Sequence, residues 1–373
     1  MNYTLYLIIL NDENFADWRY HGNEQTLDEI GLDRFAIYRL CMYFSGKFFR
    51  RRKERKCKMH FVVIGTGGIG GYYGARLQAN GQLVTFIARG AHLQVLQTRG
   101  LRVNHPAWRF DAPVRACSLE QFLQSSSPSE ADLIILCVKA TDTEAIARHL
   151  ADRLGGLSTP VLSLQNGVDN EAVLTRHLGA EKVLGGLAVL IGSHLTAPGI
   201  IDAVGPAQVV MGQWPTAAAS SNSTKLLERL AAVFNEAGIP TRVTDNIQLE
   251  LWRKLVINNG MNPLSALTLL DTGTLMHDPG LSQIVYGLMA EATIAAAADG
   301  VSLTETDCRE MFELVRRFDP IKTSMLVDFE HHRPLELEEI CGAVLSRSRQ
   351  LQREAPYTFT IYQLLRLAAS RMS

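Results

Sequence analysis

The 373-residue sequence has few cysteines, no long apolar run near its start and almost no charge imbalance, and each shortage excludes something. Its six cysteines, Cys41, Cys57, Cys117, Cys137, Cys308 and Cys341, are scattered. They form no C-x-x-C pair, and no His cluster stands at metal-ligand spacing. That argues against a disulfide scaffold and a structural metal, and points to a reduced, cytoplasmic protein. With 37 basic residues against 38 acidic ones, no global field favours nucleic acid or an anionic membrane surface. The early apolar run from Tyr3 to Leu10 falls well short of the about 20 residues a bilayer-spanning helix needs. It also lacks the basic segment and small-residue cleavage site of a secretory signal, so no membrane segment is expected. What remains is a chain too long for one core, for which two domains and a small ligand at a local site are the natural reading.

The strongest positive signal runs from His60 to Gly74, HFVVIGTGGIGGYYG. An apolar strand, Phe61-Val62-Val63-Ile64, breaks into glycines spaced Gly65-x-Gly67-x-x-Gly70 and reopens as a helical pattern through Ala75, Leu77 and Ala79. The first glycine allows a tight turn, the second lets backbone approach a pyrophosphate, and the third lets helix pack on strand. The helix N-terminus then offers free N–H groups and a positive dipole end to phosphate. In this context the turn Gly65-Thr66-Gly67-Gly68-Ile69-Gly70 is the expected cofactor-binding loop.

Residues 1–58 read differently from the rest. They hold a short helical pattern near Leu27 to Phe44 and a basic run from Arg50 to Lys56, and Met59 stands immediately before the first strand. A loosely attached extension, or a start codon called too far upstream, is the simpler reading; a basic arm for nucleic acid or membrane is the sharper one.

Beyond the glycine turn, Leu83 to Ala88 predicts a second strand, ending in Arg89, 24 residues after Gly65. An acidic residue near there would accept a ribose 2′-OH, whereas an arginine suits a 2′-phosphate, so Arg89 points to NADP. Strand-like pieces at Leu101 to Val103 and Phe110 to Val114 precede a Ser/Pro-rich loop, Ser125 to Ser129. Asp132 to Val138 is apolar on both faces, as a buried parallel strand requires, and ends in Lys139. A helix from Thr143 to Leu154 follows, then Val161 to Leu164, ending in Gln165-Asn166-Gly167. Polar groups at the carboxyl ends of parallel strands overlook the ligand crevice, which makes Lys139 and Asn166 site candidates. From Lys182 to Met211 a strand meander is expected to close the sheet, with a helix from Thr224 to Ala237. Helical periodicity then dominates, and the boundary is placed near Asp245, a candidate N-cap. The expected domains are therefore a Rossmann-type dinucleotide-binding domain over 59–245 and an all-helical domain over 246–373.

In the helix after Asn246, Glu250, Lys254, Asn258 and Asn262 recur every four residues and form one stripe if the helix runs that far. Leu251, Leu255, Val256 and Ile257 flank it. A lysine partly desolvated there would have a lowered pKa and could lose a proton during chemistry; the alternative is a plain Glu250–Lys254 surface pair.

The combined motifs decide between these. The glycine turn after Met59, Gln165-Asn166-Gly167, Glu250-Leu-Trp-Arg-Lys254 with Asn258 and Asn262-Pro263, Thr323-Ser324-Met325-Leu-x-Asp328, and Glu336-x-Glu338-x-x-x-Gly342 follow one another in the order seen in ketopantoate reductases. The sequence resembles that family over about residues 59–370. The resemblance implies an N-terminal Rossmann domain, an all-helical C-terminal domain, and NADPH-dependent reduction of a 2-keto acid between them. It implies Lys254 as general acid on the keto oxygen, Asn166 beside nicotinamide, and Asn258, Asn262 and Ser324 at the substrate. Glu336 would bind the substrate hydroxyl and touch cofactor, while Arg89 and Lys139 match cofactor-facing basic positions. Cys341 stands where an asparagine is common, which would alter the pocket floor or a hydrogen bond that supports it. The adjacent His331 and His332 read as solvent-exposed rather than as metal ligands. The expected function is reduction of 2-dehydropantoate to pantoate for coenzyme A synthesis. The alternatives are another 2-keto acid or opine-type dehydrogenase, and a non-catalytic nucleotide sensor. Apolar stripes on Leu281 to Asp299, Glu305 to Phe318 and Leu335 to Gln352 would supply the helical core and could also form a homodimer face.

Overall fold

The computed structural model describes residues 58–125, 130–154, 158–218, 220–317 and 320–371. The expected helix near Leu27 to Phe44, the basic run from Arg50 to Lys56 and most of the Ser/Pro-rich loop lie outside the described residues. The first strand, β1 (His60–Ile64), is buried along its whole length. After it come α1 (Gly68–Ala79), β2 (Leu83–Ile87), α2 (Gly90–Arg99), the pair β3 (Leu101–His105) and β4 (Trp108–Ala112), β5 (Arg115–Cys117), α3 (Leu119–Gln124) and β6 (Leu133–Leu136). The helix α4 (Thr143–Leu154) then leads to β7 (Val161–Ser163), α5 (Asn170–Leu178), β8 (Val183–Val189), β9 (Gly192–Ala197), β10 (Ile200–Val204), β11 (Gln208–Gln213), α6 (Ser221–Glu236) and β12 (Thr241–Val243).

Eight of these strands form one sheet in the order β12-β11-β8-β7-β6-β1-β2-β5. Every pairing in it is parallel except β8 with β11. From β1 the chain runs first to β2 and β5 on one side, then to β6 and β7 on the other. That reversal opens a crevice at the carboxyl ends of β1 and β6.

The expected strand meander is corrected here. Only β8 and β11 join the large sheet, while β9 and β10 leave it to form a second, four-stranded sheet of order β4-β3-β10-β9. The tight turn at Pro198-Gly199 makes β9 and β10 an antiparallel hairpin, and β10 then pairs in parallel with β3. The small sheet lies against α1. Ile201 is fully buried there, and its Cδ1 would stand 2.1 Å from a Cβ built on Gly71.

After β12 the described chain is helical: α7 (Ile247–Thr268), α8 (Thr272–His277), α9 (Pro279–Ala295), α10 (Glu305–Arg316), α11 (Ser324–Glu330), α12 (Ala343–Gln350) and α13 (Pro356–Ser370). Asp245 does not cap α7. The cap is Asn246, whose side chain accepts the Leu249 N–H at 3.0 Å while its own N–H donates to Thr244 Oγ1. That placement satisfies an otherwise orphaned helix donor. The helix runs through Pro263 to Thr268, so the stripe from Glu250 to Asn262 is one continuous surface. With its 3₁₀ extension, α9 spans 21 residues and is apolar enough to cross a bilayer. It is instead the packing centre of the helical bundle: Val285, Leu288, Met289, Ala292 and Ala295 are fully buried. Its buried Glu291 accepts the N–H groups of Tyr357 and Thr358 at the head of α13. Arg347 stitches the helices to the sheet, bonding Asp299 at 3.1 Å and Asp169 before α5 at 2.5 Å.

Candidate active site

Gly65 follows β1 with φ +95°, a left-handed conformation that favours glycine, and a Cβ there would stand 2.6 Å from the Val138 nitrogen beyond β6. Close approach is thus forced by the two central strands. Gly68 opens α1 beneath the second sheet, where a Cβ would lie 2.1 Å from the Ser193 carbonyl oxygen of β9. The loop is held from outside as well. The Thr66 hydroxyl donates to the Ile87 carbonyl at 3.0 Å. His92 accepts the Gly199 N–H on Nδ1, which leaves Nε2 as the donor to the Thr66 carbonyl at 2.6 Å. Burial lowers the His92 pKa, in keeping with that neutral tautomer.

These pieces line one cleft of about 2080 Å³, large beside the roughly 300–1,000 Å³ of an ordinary small-ligand site. Gly65, Thr66, Gly67, Gly68 and Ile69 line it, together with Arg89, Lys139 and Asn166 from the sheet and Lys254, Asn258, Asn262, Ser324 and Glu336 from the helices. Gly70 is not among the lining residues. It packs over the Gly65 carbonyl, where a Cβ would come within 2.3 Å. Arg89 projects with a side chain 92% exposed, 3.7 Å from Asp142. Its guanidinium, though paired with Asp142, stays open to solvent at the end of β2.

At the centre, Asn166 donates to Glu336 Oε2 at 2.9 Å, and the Ala140 N–H donates to Glu336 Oε1 at 3.3 Å. Lys139 forms a short contact with Asp328 and lies 3.6 Å from Glu336. Arg333 reaches Asp328 at 3.5 Å. The carboxyl ends of β6 and β7 are thereby tied to α11 and the segment after it. Glu250 pairs with Arg242 at 2.8 Å, which removes the Glu250–Lys254 surface pair as an explanation of the stripe. Lys254 has no direct ion pair or hydrogen bond to a described residue, and it lines the cleft. Burial pulls its pKa down to about 8, against the carboxylates of Glu336 and Glu171, which favour the charged form.

One expectation needs adjustment. Cys341 does not reach the cleft: it is fully buried within a π turn at Glu338–Gly342, and burial pushes its thiol up. The asparagine replaced there cannot alter the pocket floor directly. His331 and His332 are exposed, on a turn. Sequence reasoning also missed the second sheet's share of the site, Ser193 and His194 from β9 and Asn104 and Arg109 from β3 and β4. Nothing local marks them, because they meet the glycine loop only through the parallel pairing of β3 with β10. Asp328 stood in a quoted motif without a role, and its partner Lys139 lies 189 positions away.

A glycine-loop crevice at a topological switch point, closed by a helical bundle that presents a lysine of lowered pKa, defines a two-part dehydrogenase using a nicotinamide dinucleotide. Family models described as ketopantoate reductase PanE/ApbA match residues 61–216, and those for its C-terminal part match residues 246–369. The chain belongs to the ketopantoate reductase family. It is 32% identical to a 2-dehydropantoate 2-reductase of Halobacterium salinarum, over 83% of this chain and 99% of the relative. Among solved structures, a 2-dehydropantoate 2-reductase from Geobacter metallireducens superposes with TM-score 0.75 at 28% identity, covering 83% of this chain and all of that one. A D-mandelate dehydrogenase bound to NADH and anilino(oxo)acetate, 23% identical, shares the fold at TM-score 0.76 over 84% of this chain and 99% of its own.

Proposed function

We propose that this protein is an NADPH-dependent 2-dehydropantoate 2-reductase that makes pantoate. The observation that carries the reading is the convergence of Lys254, Asn258, Asn262, Ser324 and Glu336 on the crevice beside the glycine loop. The residues suit the cofactor. Bare backbone at Gly65 to Gly68 and the N-terminus of α1 fit a pyrophosphate, and the unburied guanidinium of Arg89 fits a 2′-phosphate. Bound NADPH supplies the hydride to C2 of the keto acid. Lys254 faces the oxygen that gains charge, stabilises it and donates the proton. Asn258, Asn262 and Ser324 offer amide and hydroxyl donors to the carboxylate without adding fixed charge. Glu336, fixed by Asn166 and Ala140, stands ready to accept from the substrate hydroxyl. Ile257, Met261, Val315 and Val327 complete an apolar wall suited to a branched alkyl chain.

In this reading the sheet portion up to Asp245 is the cofactor domain and residues 246–373 form the substrate domain. The exposed Phe359, Leu364 and Leu367 of α13 suit contact with a second copy in a homodimer. The deciding experiment is NADPH oxidation against a panel of 2-keto acids. Highest kcat/KM for 2-dehydropantoate is expected, and a clear preference for another keto acid would move the protein to a different reductase activity on the same scaffold.

A further inference from the structure

Resting on Lys254 as proton donor, one more residue enters the reaction. Glu171 is the second residue of α5, five positions past Asn166. It is 0% exposed, and neither carboxyl oxygen closes a hydrogen bond. An acid so enclosed costs several kcal/mol if ionised without a partner, so such a position calls for a compensating charge. Its place is fixed by Gly185 of β8, where an added Cβ would stand 3.6 Å from Glu171 Cγ and 2.9 Å from Ile247 Cγ1. Glu171 therefore lies against the same stretch of β8 that supports the first turn of α7, the helix that carries Lys254 two turns later.

The groups around it narrow the choice of partner. From its own helix head comes Asp169, whose charge is committed to Arg347 of α12. From α4, packed beside α5, Glu144 is taken up by His177 and Arg148 on an exposed face. β7 turns Ser163 toward the carboxyl and β8 the Gly186 backbone, both of which favour its ionised form, while Asp169 and above all burial oppose it. From α7 comes Lys254, whose ammonium the Glu171 and Glu336 carboxylates support.

We propose that Glu171 is a positioning residue acting through Lys254: a buried counter-charge behind the cleft wall that holds the lysine as an ammonium until the substrate oxygen takes its proton. As hydride reaches C2 and the C=O π pair moves to oxygen, one N–H bond of Lys254 breaks and one O–H bond forms. The amine is left neutral, and a solvent proton restores it under the pull of the Glu171 carboxylate.

The test is the pH profile of kcat in Glu171→Gln, which keeps the volume and removes the charge. The basic limb should move to lower pH, so that kcat at pH about 8.5 falls about 3–10-fold against wild type and at pH about 6.5 by about twofold or less, with KM for NADPH unchanged. Glu171→Asp, which retains the charge, should return the limb toward its wild-type position. A limb that stays in place, or an equal loss at every pH as a packing role would give, overturns the proposal. If Glu171→Gln fails to fold, infrared titration of wild type against Lys254→Met decides. The carbonyl band of a protonated buried carboxyl should persist to higher pH in Lys254→Met, and identical midpoints overturn the proposal. Failure of the parent reading shows differently, as turnover retained in Lys254→Ala.

Discussion

Raising the pH from 7 to 9 at saturating NADPH and keto acid should slow turnover about tenfold. The magnitude follows from the Lys254 pKa of about 8. At that value the ammonium is about 90% populated at pH 7 and about 10% at pH 9. A lysine left at its ordinary value near 10.5 would lose only about 3% of its charge over the same interval. The gap between about tenfold and almost nothing is what burial between the sheet and the α7 bundle is expected to produce. The assay is steady-state loss of NADPH absorbance across the pH range, repeated with deuterated NADPH so that a primary isotope effect confirms that hydride transfer, not product release, is being timed. Lys254→Ala should cost about 10²–10⁴ in kcat, and its residual activity should show no basic limb near 8. A wild-type profile flat to pH 9, or the same limb surviving in Lys254→Ala, would refute the assignment of the proton to this lysine.

Three further outcomes follow from the same geometry. Arg89→Ala should lower kcat/KM for NADPH by about tenfold or more, the value of a lost charge-assisted contact to phosphate; NADH should change by about threefold or less, and equal losses on both would remove Arg89 from 2′-phosphate recognition. Gly68→Ala pushes a methyl to 2.1 Å from the Ser193 carbonyl oxygen, a backbone clash expected to cost about 1–3 kcal/mol and to lower the melting temperature; an unchanged melting point would mean β9 does not press on the loop. Lys254→Met should melt about 2 °C or more above wild type at pH 7. With its pKa depressed when folded, Lys254 binds fewer protons in the folded than in the unfolded chain between about 8 and the ordinary lysine value. Wild-type stability therefore rises through that window, and the advantage of the variant should shrink there.

Much of the site can be read from the chain because its parts are locally encoded. Gly65 to Gly70 announce a strand-turn-helix by spacing, and β1 and β6 announce burial by being apolar on both faces. Glu250 to Asn262 form a stripe because a helix repeats every 3.6 residues, and the four residues share one face of α7, which lies along the cleft. Where reading the residues failed, the cause was non-local. Lys182 to Met211 looks like one meander, yet β10, carrying β9 at its edge, pairs with a strand about a hundred residues earlier. Asp245 and Asn246 are both good caps, and the choice fell to the one whose own N–H could be satisfied by Thr244.

By itself, then, the sequence determined the central strands of the large sheet, the glycine turn, the lysine stripe and the family, since each rests on contacts between residues close along the chain or on motifs read in order. Only the tertiary structure decided that the second sheet covers the glycine loop and that Lys139 is held by Asp328. It alone set Glu336 between Asn166 and Ala140, and enclosed Glu171 at the head of α5 against β8. Those facts depend on burial and charge pairing across 80 to 200 residues, and the free energy of a buried charge is set by whatever the fold brings beside it rather than by its neighbours in sequence.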